Sequence, residues 1–347
     1  MASRVVAVDL FCGAGGLSRG LVDAGLSVVA GYDLDPACRH PYEAGCGATF
    51  CHSDIGDLRG EDLATHWPAG SVRVLVGCAP CQPFSYYMQG RKAKRDDDRW
   101  RLLGQFGRLV EACRPDIVSM ENVPKLQGHG VFHEFVQRLT EIGYRVSIST
   151  PDCAAYGVPQ RRRRLVLLAS LHGEIRLLDG ASAPPTVRQA IGHLPPVAAG
   201  ECHEDDPLHC ARNLSPLNRE RIRASTPGGT WRQWPAELRA ACHERDTGQK
   251  YASVYGRMNW DAPAPTITTE CHQYGSGRFG HPSQDRAITL REAALLQSFP
   301  GDYPFMAPER RVSFVSMGRL IGNAVPPGLG RAIGLSITAH LEHCRVR

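Results

Sequence analysis

The first 170 residues alternate short apolar runs with stretches of helical spacing, and that rhythm restricts the fold more than any other feature. Residues 5–10, 27–32, 72–76, the stretch "DIVSMENVP" and residues 165–169 read as buried strands. Residues 17–24, 100–113 and 131–142 read as helices; in the second, Trp100, Leu103, Phe106, Leu109 and Val110 fall on one face. Short strands separated by helices of about a dozen residues build a parallel sheet with helices on both faces. The expected class is therefore α/β, with a doubly wound, mostly parallel sheet. Ligands of such sheets bind just beyond the carboxyl ends of the strands, so the residues that follow each apolar run carry the functional reading.

After Ser170 the rhythm stops. Residues 171–285 are rich in Pro, Gly and His, as in "LPPVAAG" and "TPGGTWRQWP", with no repeat and no clear period. A second, smaller and irregular domain is expected there. A short helix is expected over 290–297, and a long amphipathic one after Pro326-Pro327, whose fixed φ suits a helix start. The expected division is 1–170 with 320–347 as one domain and 171–319 as the other, its variable part about 171–285.

Composition excludes some classes. With 42% hydrophobic and 22% charged residues the chain can bury an ordinary core. No apolar run approaches the ~20 residues of a membrane span, and the start "MASRVVAVDLF" lacks a secretory h-region. A soluble cytoplasmic protein is expected. Its 13 cysteines, odd in number and scattered, are then expected to be reduced thiols. The net charge of +5 permits a nucleic-acid partner without requiring one.

A glycine-rich turn, Phe11-Cys12-Gly13-Ala14-Gly15-Gly16-Leu17, joins the first strand to the first helix. Its spacing departs from the GxGxxG dinucleotide fingerprint, and no Lys-Ser/Thr follows as in a phosphate-cradling loop. Asp33 closes the second strand, where carboxylates accept bonds from ribose hydroxyls, and Asp54 follows the expected third strand. A nucleoside without a pyrophosphate fits this end, and S-adenosylmethionine is such a ligand. The alternative is a tight turn with no ligand.

"GCAPCQPFSYYMQG", residues 77–90, raises a second question. A zinc site would need a second ligand pair at metal spacing, and none of the Cys-His neighbours has it; no metal is expected. A redox pair normally opens a helix, whereas Pro80 and Pro83 around Cys81-Gln82 argue for a rigid extended loop. A buried structural role suits Cys78 better than Cys81.

"DLFCGAGGL", "APCQPFS", "ENV", "GVPQRRRR", "REAALLQSFP" and "IGNAVPP" occur in that order. Together they resemble the DNA (cytosine-5)-methyltransferases over nearly the whole chain, 171–285 excepted, where that family keeps its variable target-recognition region. The resemblance implies a class I S-adenosylmethionine-dependent methyltransferase fold. It implies that Cys81 adds to C6 of cytosine, a job suited to a nucleophilic thiolate, while Glu121 supplies a proton at ring N3 and Arg162 and Arg164 face the site. Arg161 and Arg163, alternating with them on an entering strand, would meet solvent or phosphate. Cofactor residues carry over as Phe11, Gly13, Gly15, Gly16, Leu17, Asp33, Leu34, Asp54, Ile55, Pro80, Asn323 and Val325. Asp33 stands where the family usually has Glu, which puts the reach of that ribose contact in doubt.

The resemblance further implies duplex DNA as partner, read by an enzyme expected to be a monomer, and allows a cognate restriction endonuclease beside it. A target cytosine must leave the stack to present C6, and residues 86–98 are expected to close over it. Gln82, Ser85, Asn122, Gln160, Arg232, Gln233 and Arg257 are the candidate DNA contacts; Trp231 and Trp234 are expected in the core. Residues 172–285 carry 12 Lys and Arg against 13 Asp and Glu, leaving 28 against 22 elsewhere, so the excess positive charge lies in the catalytic part. An RNA cytosine-5 methyltransferase and a catalytically silent DNA-binding relative are the alternatives.

Overall fold

The structure, a computed structural model, describes residues 4–80, 99–180, 183–308 and 310–345. The chain divides into two units: Met1–Tyr156 with Arg163–Ala181 and Ala324–Arg347, and Gly157–Arg162 with Ser182–Asn323.

The first unit is built on seven strands, β1 (Val5–Leu10), β2 (Ser27–Asp33), β3 (Thr49–His52), β4 (Val72–Gly77), β5 (Ile117–Asn122), β6 (Arg145–Ser149) and β7 (Leu165–Ser170). Helices α1 (Gly16–Asp23), α2 (Arg39–Cys46), α3 (Gly60–Ala64), α4 (Arg99–Cys113) and α5 (Gly130–Glu141) connect them. The sheet order is β3-β2-β1-β4-β5-β7-β6, parallel except for β7, which runs against both its neighbours. Strand order reverses between β1 and β4, which is where doubly wound sheets leave a crevice. Val8, Leu10, Leu75 and Val118 bury one face against Leu63, Leu103, Phe106 and Phe135 of α3, α4 and α5. Side chains alternate along a strand, so Asp9 points to the other face, toward α1 and α2.

On that other face α1 lies against the C-terminal helix Pro327–Arg345 at very short range. A Cβ added at Gly20 would sit 2.3 Å from the Pro327 carbonyl oxygen, and one at Gly330 would sit 2.7 Å from that of Leu17. Only hydrogen at these two positions lets the helix backbones meet, and this contact fixes α1 behind the turn that leaves β1.

Three elements of this unit escape the sequence reading. α2 carries Pro41 and Gly45, poor helix formers, but Pro41 sits in the first turn, where no N–H is needed. α3 has only five residues. β6 is an edge strand of sequence RVSIS with no buried position, so its apolar pattern is faint.

The second unit contains α6 (Val187–Ile191), α7 (Pro216–Arg223), α8 (Asp246–Gln249), α9 (Leu290–Leu296) and α10 (Phe314–Asn323). Among its described residues there are isolated bridges but no named strand. Buried charge does much of the organising. Arg286 meets Glu292 through two 2.8 Å bonds with both side chains closed to solvent, and Glu292 also takes the Thr289 amide at 2.7 Å to cap α9. Beside it, burial pushes the His281 imidazole down to about 4. Trp231 stacks on His243 at 4.2 Å, and Trp231 and Trp234 are both buried, as expected of core residues. One expectation is corrected here: Cys202 and Cys210, opposite each other across an antiparallel bridge, form a disulfide rather than two thiols. Among the described residues no helix is long and apolar enough to cross a membrane.

Candidate active site

The turn after β1 folds back on the end of β2. Phe11 takes φ 58°, Gly13 φ 53° and Gly15 φ 87°. Left-handed backbone is cheap for glycine and strained for phenylalanine, and such strain concentrates at functional sites. The Cys12 amide donates to the Tyr32 carbonyl at 3.0 Å, and the Gly13 amide to Asp33 Oδ2 at 2.9 Å. The Asp35 amide holds the other oxygen at 2.9 Å. Burial pushes the Asp33 carboxyl up, and these amides oppose the shift. Leu34 is 61% exposed, an apolar ledge beside that carboxylate in sequence. Asp54 accepts the Gly56 amide at 2.8 Å, while Ile55, Leu17 and Val325 are buried.

Asp9 lies under this turn. It is 1% exposed, and Oδ2 accepts the Ser18 hydroxyl at 2.6 Å. Because the Ser18 proton is used there, Tyr42 donates its own to Ser18 Oγ, at 3.0 Å. Asp9 Oδ1 is buried without a hydrogen-bond partner. Burial pushes this carboxyl up to about 7, against the Ser18 bond. A Cβ at Gly13 would meet nothing within 4 Å, so the turn leaves open space beside two carboxyl groups. That donor set fits a nucleoside carrying positive charge, as S-adenosylmethionine does.

The second cluster lies across the β4–β5 boundary. Gly77 pairs with Met120, so the residues that follow, Cys78 and Glu121, leave adjacent strands side by side. Glu121 is 2% exposed. Arg164 Nε lies 2.9 Å from its Oε1, and the Cys78 thiol donates to its Oε2 at 2.8 Å. Asn122 Nδ2 donates to the Ala79 carbonyl at 2.9 Å, tying the two strand ends together. Pro80 then leads into Cys81. Cys81, Gln82, Ser85 and the stretch 86–98 lie outside the described residues.

The run 161–164 alternates as its strand entry demands: Arg161 and Arg163 are exposed, Arg162 is buried and Arg164 nearly so. Arg162 belongs to the second unit, where it donates to the carbonyls of Ile267 at 2.8 Å and Gly322 at 3.1 Å. Asn323, exposed at the end of α10, is in that unit too.

Three expected DNA contacts are corrected. Asn122 is buried, its amide spent on Ala79 and its oxygen on the Val123 amide. Gln160 is fully buried; it donates to the Leu296 carbonyl and to Gln297, and accepts from the Ile267 amide. Arg257 is 6% exposed and donates to the carbonyls of Ile222, Ser225, His281 and Gln284 and to Asp285. All three are turned inward, bonded to groups of the protein itself rather than facing solvent. Arg232 and Gln233 are exposed, Arg232 over the Trp231 ring with one bond to the Gln249 carbonyl.

Two residues of these clusters went unassigned in the sequence. Asp9 is visible only as a strand residue; its burial against Ser18 and Tyr42 is a tertiary fact. Cys78 is adjacent to a strand end, and pairing β4 with β5 in parallel would have placed it beside Glu121.

Comparison with known proteins gives the family. A family model described as C-5 cytosine-specific DNA methylase matches residues 5–339. Type II methylase M.HgiDII of Herpetosiphon aurantiacus is 49% identical over 341 residues, spanning 96% of this chain and 95% of that protein. Type II methyltransferase M1.HphI of Haemophilus parahaemolyticus is 31% identical, over 95% of this chain and 86% of its own length. In fold, the chain resembles a prophage-encoded DNA modification methyltransferase of E. coli, with a TM-score of 0.74 at 21% identity, over 97% of this chain and 99% of that one. A match of this length, with a doubly wound sheet carrying a glycine turn on β1 and a clamped glutamate on β5, places the chain in the C-5 cytosine-specific DNA methylase family.

Proposed function

We propose that this DNA (cytosine-5)-methyltransferase works on a cytosine flipped out of duplex DNA, with Cys81 as nucleophile, Glu121 as the acid at the ring and S-adenosylmethionine as methyl donor. The observation that carries the proposal is the Glu121 carboxylate, buried at the end of β5, held by Arg164 at 2.9 Å, and next to the strand end that leads to Cys81. C5 of cytosine is a weak nucleophile. Addition of the Cys81 thiolate to C6 breaks the C5–C6 π bond and makes C5 electron-rich. Glu121 holds a proton at N3, where charge would otherwise build up. Arg164 fixes the carboxylate and balances its charge in a site shielded from water. Once C5 carries the methyl group, water takes the C5 proton, the C6–S bond breaks to release the Cys81 thiolate, and the N3 proton returns to Glu121, which restores the aromatic ring.

S-adenosylmethionine, when bound, supplies an electrophilic methyl group. Phe11, Gly13, Gly15, Gly16 and Asp33 would hold it, with Leu34, Asp54, Ile55, Pro80, Asn323 and Val325 completing the set. Asp33 already takes two backbone amides, and each oxygen keeps a lone pair for a ribose hydroxyl.

The second unit serves as the target-recognition domain, with Arg232 and Gln233 as its exposed candidate readers. Its relatives' names point to a Type II restriction–modification setting, with a cognate endonuclease cutting the same sequence and host DNA protected by methylation. Those names favour DNA over RNA as substrate.

DNA containing 5-fluorocytosine tests the chemistry, because fluorine cannot leave as a proton and the adduct is trapped. Wild-type enzyme with S-adenosylmethionine should give a denaturation-resistant protein–DNA band, and Cys81→Ala should give none. A band of equal intensity from Cys81→Ala removes the assignment.

A further inference from the structure

We infer that Cys78 is a positioning residue for methyl transfer: its thiol holds the second oxygen of Glu121, so that the carboxylate meets the cytosine ring in one orientation. The inference rests on the reading of Glu121 as the acid at the ring and adds to it a residue three positions before the nucleophile.

The geometry is specific. The terminal torsion of a glutamate is broad and roughly two-fold, so a single partner leaves the carboxylate plane free to turn. Here Arg164 Nε lies 2.9 Å from Oε1 as an ion-pair partner, but that oxygen is buried without a hydrogen bond, and the directed donor is Cys78 Sγ on Oε2 at 2.8 Å. The two contacts come from different strands, β7's leading edge and the end of β4: the ion pair holds one oxygen by charge, and the thiol bond to the other sets the plane. Backbone contacts hold the thiol in place. The Cys78 amide donates to the Leu10 carbonyl at 3.3 Å, and Ala79 accepts from Asn122 at 2.9 Å. Cys78 therefore links the Glu121 carboxylate to the last residue of β1, where the glycine turn begins.

The choice of sulfur has a consequence. A thiol is a weak donor, and a carboxylate oxygen has two lone-pair sites. Oε2 can therefore keep the thiol and still accept from a ring N–H. A lysine or arginine in its place would compete with the base for the same oxygen. A filler role accounts for less, because Cys78 is only partly buried and its S–H is aimed at a charge.

The test uses the purified full-length enzyme, tritiated S-adenosylmethionine and unmethylated bacterial genomic DNA. Cys78→Ala should lower kcat roughly tenfold, the size of one lost hydrogen bond to a charged group. KM for DNA and Tm should stay near wild type. Cys78→Ser, which restores a donor, should recover most of kcat. Wild-type kcat in Cys78→Ala, a serine variant no better than alanine, or a loss that follows a fall in Tm overturns the inference. Glu121→Ala is run beside them. If it is inactive while Cys78→Ala is unaffected, only the role of Cys78 fails; if it turns over normally, the underlying reading of Glu121 fails.

Discussion

Arg164 and Glu121 face each other with Nε 2.9 Å from Oε1, their side chains 13% and 3% exposed, at the end of the strand that bears the candidate acid. Taking two charges out of water is costly, and removing one partner leaves the other uncompensated. Arg164→Ala should therefore destabilise the protein by about 3 kcal/mol, the lower end for a broken buried pair, and reduce methyl transfer by at least a hundredfold. Urea unfolding and tritium incorporation measure the two. Arg164→Lys should keep most of the stability and little of the activity, since a compact ammonium on a flexible stem does not take the place of the planar guanidinium against the carboxylate.

Asp9 gives a pH dependence with a definite sign. Its folded-state carboxyl is pushed from 3.8 up to about 7 by burial. Protonation therefore favours the folded state, and the contribution is fully present below the unfolded value near 4. It is lost as pH rises through about 7. Asp9→Asn carries no such charge, so the variant should gain on wild type between pH 5 and pH 8. The ceiling over that window is about 3 kcal/mol, from the two pH units between 5 and the folded-state value. Unfolding curves in urea at the two pH values measure it; an unchanged difference would mean that Asp9 stays ionised throughout.

The α1 contact with the C-terminal helix is tested by a pair of glycines. Gly20→Ala puts a methyl group 2.3 Å from a backbone oxygen that cannot swing aside, and should cost about 2–3 kcal/mol as an overpacked interface. Because α1 follows the glycine turn directly, S-adenosylmethionine affinity should fall with it. Gly104→Ala is the control: it lies in α4 with nothing within 4 Å of the added carbon. That change should stabilise by about 0.5–1 kcal/mol through helix propensity alone. Thermal melts and calorimetric titration of the cofactor separate the two outcomes.

What the sequence disclosed was local. Strand period and the glycines after Leu10 place the first unit's sheet and the turn that follows β1, and β1, α4 and α5 fall within a residue of expectation. The antiparallel course of β7 is not written in its own six apolar residues, because a strand buried on both faces reads alike in either direction. Long-range polar pairing was also hidden. Gln160 and Arg257 are the residue types that read bases, and nothing within a few positions of either reveals that the carbonyls of Leu296 and His281 take their donors. The second unit, without a named strand among its described residues, relies on such pairings, and for that reason its sequence reads as irregular.

Arg257 and Arg232 therefore make opposite predictions although both lie in the proposed recognition domain. Arg257 satisfies four carbonyls and pairs with Asp285 from a position 6% exposed. Truncating it orphans buried acceptors at about 1–3 kcal/mol for an unsatisfied group, so Arg257→Ala should lower Tm, and the methylated sequence should stay the same at whatever activity survives. Arg232 is exposed, with one bond to the Gln249 carbonyl at 2.8 Å and its guanidinium over Trp231. Arg232→Ala should leave Tm within a degree or so, since surface substitutions shift stability by under about 0.5 kcal/mol. It should instead weaken DNA binding or relax the target at one base position, where a bidentate arginine contact is worth ~1–3 kcal/mol. Bisulfite sequencing of DNA from cells expressing each variant reads the target directly. A changed target in Arg257→Ala with an unchanged melt would return that residue to the DNA and reverse the assignment of the two arginines.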